Sequence, residues 1–274
     1  MTEDIFIWVL LGFIGLFVGV FGTLIGAAGG FILVPILLFL YPDATPATIT
    51  SITLTVAFFN ALSGSVAYGF LKRIDYHSGL YFSLAAIPGA IIGATITLFI
   101  GRGLFQYIFG AILLIISGYL LLKPERRALS SPGGKGYITR TLIDKHNTSY
   151  SYSYHRPLGV AIAFGIGLLG GLLGLGGGIM HVPVLTQILG FPIHVATATS
   201  HFVVATSSFF AILTHVIAGS FFQEIGKTLV ISAGAVIGAQ IGARWSKKVS
   251  GPLIIRLLAV GLGIVAIRLL IAPF

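Results

Sequence analysis

Two glycine-rich stretches interrupt otherwise apolar sequence, and each offers backbone groups that could bind an anion. The stretch at residues 170–183 holds Gly176, Gly177 and Gly178 in succession, followed by His181. Consecutive glycines disfavour a continuous helix because each one costs conformational entropy. A helix that restarts after them directs free N–H groups and the positive end of its dipole into the break. This pattern is typical of anion binding, and close helix packing is the alternative.

A second copy of this motif lies near the start of the chain. Residues 22–35 align with residues 170–183 without gaps and include Gly29 and Gly30. Two further pairs of segments match in the same order, 47–51 with 196–200 and 89–94 with 234–239. Three matches in one order indicate an internal duplication.

The composition predicts a polytopic membrane protein. Hydrophobic residues make up 56% of the 274 residues and charged residues only 8%, whereas a soluble domain carries about a quarter charged residues. Cysteine is absent, which excludes disulfides and cysteine-based catalysis or metal binding. The sequence also contains no His-Glu-x-x-His motif. We therefore expect no enzymatic activity, cofactor or metal.

The apolar segments predict an all-α fold made of two transmembrane repeats with glycine-broken helices. We expect the first repeat in residues 1–122, a basic cytoplasmic linker in residues 123–156 and the second repeat in residues 157–274. Each broken segment is too long for a single helix across a hydrocarbon core of roughly 30 Å. It must therefore either cross twice or dip in and return, and in both cases it re-emerges on the side that it entered.

The basic residues predict the orientation in the cell membrane. The linker carries seven Lys and Arg residues against two acidic ones, and such loops lie on the cytoplasmic side. This places Arg244, Lys247 and Lys248 inside and both termini outside, with the repeats inverted about an axis in the membrane plane. The alternating Ser/Tyr run at 148–154 indicates a mobile or partly ordered linker, which could contact anionic lipid headgroups. We expect no nucleic-acid partner because no recognised binding motif accompanies the charge.

The polar residues of the predicted spans suit an anion better than a cation. None of the seven acidic residues lies within a predicted span, whereas cation pumps place acids in the membrane. Serine and threonine in spans usually bond to their own helix or a neighbour, but a buried histidine needs partners and is more often functional. We expect His215 to lie nearer an interface. The candidate binding residues are Gly29, Gly30, Thr50, Ser51, Asn60, Gly176, Gly177, Gly178, His181, Thr199, Ser200, His201 and Gln240.

The paired motifs resemble the TauE/SafE family of sulfite and organosulfonate exporters. The resemblance rests on the two Gly-Gly…Val-Pro motifs and the two Ala-x-x-Thr-Ser motifs, and it covers nearly the whole chain. The first motif departs from the family pattern at Ala27 and Ala28. The resemblance implies a secondary transporter that exports a small anion, such as sulfite or the organosulfur compound sulfoacetate.

Two alternatives remain at this point. The first is a passive anion channel with the same lining. The second is a membrane scaffold or assembly factor whose basic linker binds a soluble partner. Protons are a candidate coupling ion because histidine titrates in the range that cells regulate. The cargo, the coupling ion and the oligomeric state are left open by the sequence.

Overall fold

The computed structural model describes residues 2–122, 134–246 and 251–271 of the chain. Seven helices in these ranges are long and apolar enough to cross a membrane. This confirms the prediction of a polytopic and predominantly helical membrane protein. The first part of the linker, and the basic residues Lys247 and Lys248, lie outside the described residues.

The helices follow the same order in the two halves of the chain. The first half contains α1 (Thr2–Ile25), α2 (Gly30–Leu40), α3 (Pro46–Phe70), α4 (Tyr76–Thr97) and α5 (Arg102–Leu122). The second half contains α6 (Arg156–Leu173), α7 (Gly178–Pro183), α8 (Ile193–Ile217), α9 (Ile225–Trp245) and α10 (Gly251–Ile271). A π-helical turn, Val184–Ile188, continues α7, and a 3-10 turn, Ser220–Glu224, precedes α9.

Polar side chains fix the starts of three of these helices. Thr45, Asp75 and His155 each accept a hydrogen bond from the backbone N–H three residues later. Each thereby satisfies one of the amides that a first helical turn leaves free. Pro46 then occupies the first position of α3, where its missing N–H costs nothing.

Small residues bring α1 against α9, and α6 against α4, in matching ways. A Cβ added at Gly19 would lie less than 3.0 Å from the carbonyl oxygen of Ala235. A Cβ at Gly167 would approach the carbonyl oxygen of Ala86 equally closely. The backbones of each helix pair are therefore in direct contact, which is the packing role that glycine often has in membranes.

These contacts correct the alignment of the two halves by one helical turn. A Cβ at Gly93 would meet the carbonyl oxygen of Leu168, and one at Gly242 would meet that of Val20. Since Leu168 and Val20 are equivalent positions, Gly93 corresponds to Gly242 rather than to Gly238, as the sequence comparison had placed it. Glycine recurs at every fourth position along this part of α9, so the sequence fits either register.

Equivalent helices run antiparallel where they meet. Thr50, near the start of α3, has its hydroxyl oxygen 3.3 Å from Nε2 of His215, near the end of α8. Ser117, near the end of α5, donates a hydrogen bond to the carbonyl oxygen of Ala259, in the first half of α10. α3 therefore opposes α8, and α5 opposes α10.

Each broken segment has its two ends at the same end of the helix bundle. Trp8 of α1 contacts the first turn of α9, and Lys227 of that turn lies 4.3 Å from the ring centre of Tyr41, which follows α2. In the second half, Gly159 of α6 lies against Leu189, which follows the π-helical turn. Both segments thus double back after their glycine break.

The described part of the linker forms a β-hairpin, which the all-α prediction missed. β1 (Tyr137–Ile143) pairs with β2 (Ser149–His155) in antiparallel register. The Ser/Tyr alternation in β2 places successive tyrosines on one face. The rings of Tyr152 and Tyr154 on that face lie 4.4 and 5.0 Å from the ring of Phe191. The same alternation is a strand signal, and tyrosine has a high β-propensity.

Candidate functional site

The two glycine breaks form two separate loops that have the same backbone conformation. The left-handed positions are Gly26, Ala28 and Gly29, with φ of 84°, 52° and 78°, and Gly174, Gly176 and Gly177, with φ of 71°, 65° and 86°. The carbonyl oxygen of Gly22 accepts hydrogen bonds from two amides of the first loop, at 2.8 and 3.2 Å. Gly170 does the same for the second loop, at 2.9 and 3.2 Å. Glycine is favoured because other residues strain in this backbone region.

The two loops lie back to back at the centre of the molecule. A Cβ at Gly30 would lie 2.9 Å from the carbonyl oxygen of Gly174, and a Cβ at Gly178 would lie 2.7 Å from that of Gly26. The backbones of the two loops are thus in contact at these positions in this conformation.

The helices that leave the loops begin with unpaired amides. Among the described residues, no backbone acceptor pairs with the N–H groups of Gly30 and Phe31, or of Gly178 and Ile179. These four groups stand at the positive ends of α2 and α7. All four residues are buried.

Two buried side chains beside the second loop also lack partners. Within the described part of the chain, neither ring nitrogen of His181 has a hydrogen-bond partner, and neither does the hydroxyl of Ser208. Their exposed fractions are 2% and 1%. A Cβ at Gly177 would lie 3.6 Å from Nδ1 of His181, and one at Gly176 would lie 2.7 Å from the Ser208 hydroxyl oxygen. The second loop is therefore bordered by buried polar atoms for which no hydrogen-bond partner is found among the described residues.

Ser208 was missed by the sequence analysis. It lies two turns after His201 on α8, so the two residues share a helix face. That spacing is the signal that could have identified it.

Several predicted site residues form hydrogen bonds within the protein instead. Asn60 accepts from the hydroxyl of Thr23 at 2.8 Å and donates to the carbonyl oxygen of Gly19 at 3.2 Å. Gln240 donates to the hydroxyl and carbonyl oxygens of Ser63, at 2.8 and 3.0 Å. These bonds join α3 to α1 and α9, so they supply cohesion.

The two Thr-Ser motifs lie against the loops of the opposite half. Ser200 donates a hydrogen bond to the carbonyl oxygen of Gly26 at 3.0 Å, and Thr50 borders Gly174. Ser51 is buried. Thr199 accepts a hydrogen bond from the backbone N–H of Asp75 at 3.1 Å, which ties α8 to the start of α4. Each loop is thus supported by a helix of the other half.

His201 and His215, the other two histidines considered in the predicted spans, have different surroundings. Nδ1 of His201 lies 3.0 Å from the carbonyl oxygen of Thr197, to which it donates, while Nε2 has no partner among the described residues. His215 is fully buried, with Nδ1 3.0 Å from the hydroxyl oxygen of Ser220. His215 lies in the last turn of α8, and its expected place near a membrane interface stays a prediction.

A cavity of about 400 Å³ opens at the end of the bundle opposite the hairpin. Thr48 and Ile52 of α3 line one wall, and Asp43 and Glu224 lie in the adjoining turns. The guanidinium of Arg102 supports the rim by donating to the backbone carbonyl oxygens of Leu38, in the last turn of α2, and of Tyr41 and Ala44, in the turn that follows.

Membrane-crossing helices, two matching broken segments and a buried site with unpaired polar groups define a membrane transport protein. The sequence profile of the family described as "Sulfite exporter TauE/SafE" matches residues 11–269. The chain belongs to this family, and it is a transporter rather than an enzyme.

Two similar proteins are named as probable membrane transporters. The chain is 36% identical over 269 residues to the probable membrane transporter protein YunE of Bacillus subtilis, covering 96% of this chain and 97% of that protein. It is 23% identical over 256 residues to the probable membrane transporter protein MJ0441 of Methanocaldococcus jannaschii, covering 88% and 87%. No solved structure matches the chain.

Proposed function

We propose that this protein is a secondary transporter that exports a small anion, either sulfite or a short organosulfonate such as sulfoacetate. The observation that carries the proposal is the second glycine loop, where unpaired amides meet the unpartnered side chains of His181 and Ser208. Helix-terminal amides, a hydroxyl and an imidazole are all groups that bind oxyanions. The family description as sulfite exporters supports the class of cargo.

The placement of charge supports an anion as the cargo. Asp43, Asp75 and Glu224 lie in the turns before α3, α4 and α9. No carboxylate lies deeper in the described helices that cross the membrane. A cation site in a membrane protein would normally need one there.

The proposal includes two inverted repeats, residues 1–122 and 157–274, joined by the linker at 123–156. Its support is that α3 opposes α8, α5 opposes α10, and both glycine loops have one conformation. An axis in the membrane plane relates repeats in this way. The positive-inside rule applied to the basic linker supports a cytoplasmic position for the hairpin end and an outside position for the end with the cavity. The surrounding partners are then lipids, including anionic headgroups near the linker.

Transport requires the two loops to separate, because their backbones are in contact in this conformation. Rocking of one repeat against the other would expose the loop amides first to one side and then to the other. A proton is the proposed coupling ion, carried by His181 or His201, whose ring nitrogens retain free capacity.

A tracer panel tests the proposal. Liposomes that contain the purified protein are loaded with labelled sulfite, sulfate, sulfoacetate or a short carboxylate. Efflux of the label is compared with efflux from equally loaded liposomes without protein. We expect efflux of sulfite or sulfoacetate and slower efflux of the carboxylate. Folded protein that moves none of these anions would contradict the proposal.

A further inference from the structure

The residues that line the cavity opposite the hairpin have equivalent residues at the hairpin end. Its wall residues Thr48 and Ile52 correspond to Thr197 and His201 of α8, since the Ala-x-x-Thr-Ser motifs align α3 with α8. The corrected alignment of α4 with α9 runs in the same register. It makes Glu224, which precedes α9, equivalent to Asp75, which precedes α4.

The equivalent residues Glu224 and Asp75 differ in how far their side chains are exposed. The side chain of Glu224 is 33% exposed, whereas that of Asp75 is 1% exposed. Phe191, in the turn before α8, is also buried because Tyr152 and Tyr154 pack against it. The β-hairpin therefore covers Asp75 and Phe191, whereas Glu224 at the opposite end is partly exposed.

A polar clasp holds the hairpin in this position. The carboxylate of Asp75 accepts hydrogen bonds from Arg140 at 3.1 Å, from the Tyr152 hydroxyl at 2.7 Å and from the Ser78 hydroxyl at 2.6 Å. The hydroxyls of Tyr154 and Ser78 lie 2.7 Å apart. Burial raises the pKa of Asp75, but these hydrogen bonds outweigh burial and lower it below its usual value, so the carboxylate stays charged at neutral pH.

A second contact joins the tip of the hairpin to the turn after α3. The backbone N–H of Lys145 donates to the carbonyl oxygen of Leu71 at 3.0 Å, and Arg73 pairs with Asp144 at 3.4 Å. The attachment therefore combines hydrogen bonds and ion pairs with the packing of Tyr152 and Tyr154 against Phe191. Water can replace the hydrogen bonds and ion pairs at modest net cost when the hairpin leaves.

We propose that the hairpin is the gate that closes this end of the transporter, and that the Asp75–Arg140–Tyr152 clasp holds it shut. The gate rests on the proposed transport function, in that release of the clasp would open the path to the glycine loops. The cavity at the opposite end and the closed hairpin then describe one conformation of an alternating-access cycle.

Accessibility of a single cysteine tests the gate without any substrate. The cysteine-free chain carries Thr197→Cys, 6% exposed near the start of α8, or, as the control, Thr48→Cys, its 5% exposed equivalent that lines the cavity. A small impermeant thiol reagent is applied to the purified protein in nanodiscs. Combining Arg140→Gln with Tyr152→Phe should speed labelling of Thr197→Cys about tenfold, as expected for losing charge-assisted hydrogen bonds, and leave Thr48→Cys unchanged. An unchanged rate at Thr197→Cys would overturn the gate.

A reversible crosslink tests whether the gate must open. Leu71→Cys with Lys145→Cys, joined by a short bifunctional methanethiosulfonate, ties the hairpin to the helices. The control, Thr139→Cys with Ser153→Cys, joins two side chains that face each other across the hairpin and leaves the hairpin free to move. Because sulfite itself cleaves disulfide bonds, efflux of sulfoacetate is followed; we expect it to stop in the first pair, to return on reduction and to continue in the control. Full efflux with the first pair crosslinked would refute the gate. Loss of efflux in the reduced pair and the wild type alike would instead refute anion transport, and the labelling rates would still decide the gate.

Discussion

At the residue scale, the candidate site consists of side chains whose hydrogen-bonding capacity the protein leaves unused. His181 and Ser208 are buried without partners among the described residues, whereas Asn60 has partners on both atoms of its amide. An unused buried polar group costs desolvation energy. Its retention fits a group that binds a ligand during the transport cycle.

Removing these groups should separate binding from stability. We expect Ser208→Ala and His181→Gln to raise the KM for anion efflux several-fold while leaving the thermal unfolding temperature unchanged, because neither side chain gives up a hydrogen bond. Asn60→Ala is the matched control, and its loss of two hydrogen bonds should lower the free energy of unfolding by about 1–3 kcal/mol. Comparable destabilisation in all three variants would contradict the assignment.

The proposed proton coupling gives a prediction for pH. Histidine titrates with an unperturbed pKa of about 6.5, and its charged form adds positive charge where an anion binds. Glutamine retains a hydrogen bond but does not titrate. Initial efflux rates between about pH 5 and 8 should therefore depend less on pH in His181→Gln or His201→Gln than in the wild type. A wild-type profile in both variants would assign recognition to the loop amides and leave the histidines structural.

At the element scale, the glycine loops combine packing with the candidate binding role. Gly178→Leu would bring a side chain against the backbone of the first loop, where even a Cβ would lie 2.7 Å from the Gly26 carbonyl oxygen. We expect this variant to lose more than about 1–3 kcal/mol of stability, as overpacked cores do. Gly165→Leu in α6 is the control because its Cβ would meet open space. Equal unfolding temperatures for the two variants, measured in detergent, would contradict the packing of the loops.

Much of this element-scale organisation could be predicted from the sequence. The two glycine motifs predicted the breaks, because few residues other than glycine readily adopt the left-handed backbone conformation of Gly177 and Gly29. The register of α9 could not be predicted, since its small residues repeat with every turn. The docked position of the hairpin depends on contacts between Tyr152 and Asp75, which are far apart in the sequence. The contact between the backbones of the two loops is likewise a tertiary property.

At the scale of the whole molecule, the hairpin and the cavity mark opposite ends of one bundle. Single cysteines at Asp43 or Lys227 should react with an impermeant reagent added outside intact cells, and those at Lys135 or Arg244 should react only after permeabilisation. This result follows from the positive-inside rule applied to the basic linker. Reaction of Lys135→Cys from outside with protection of Asp43→Cys would reverse the orientation. Reaction of Asp43→Cys and Arg244→Cys from the same side would contradict the inverted arrangement itself.

Counterflow of labelled sulfite tests the central claim most directly. Liposomes containing the protein are loaded with unlabelled sulfite and diluted into a trace of labelled sulfite, and the label inside is followed with time. A carrier with an anion site at the second glycine loop should accumulate label transiently above its outside concentration. The double variant His181→Gln with Ser208→Ala should accumulate much less while unfolding at the same temperature. Passive equilibration of label without accumulation would identify a channel instead, and equal accumulation in the double variant would show that the anion binds elsewhere.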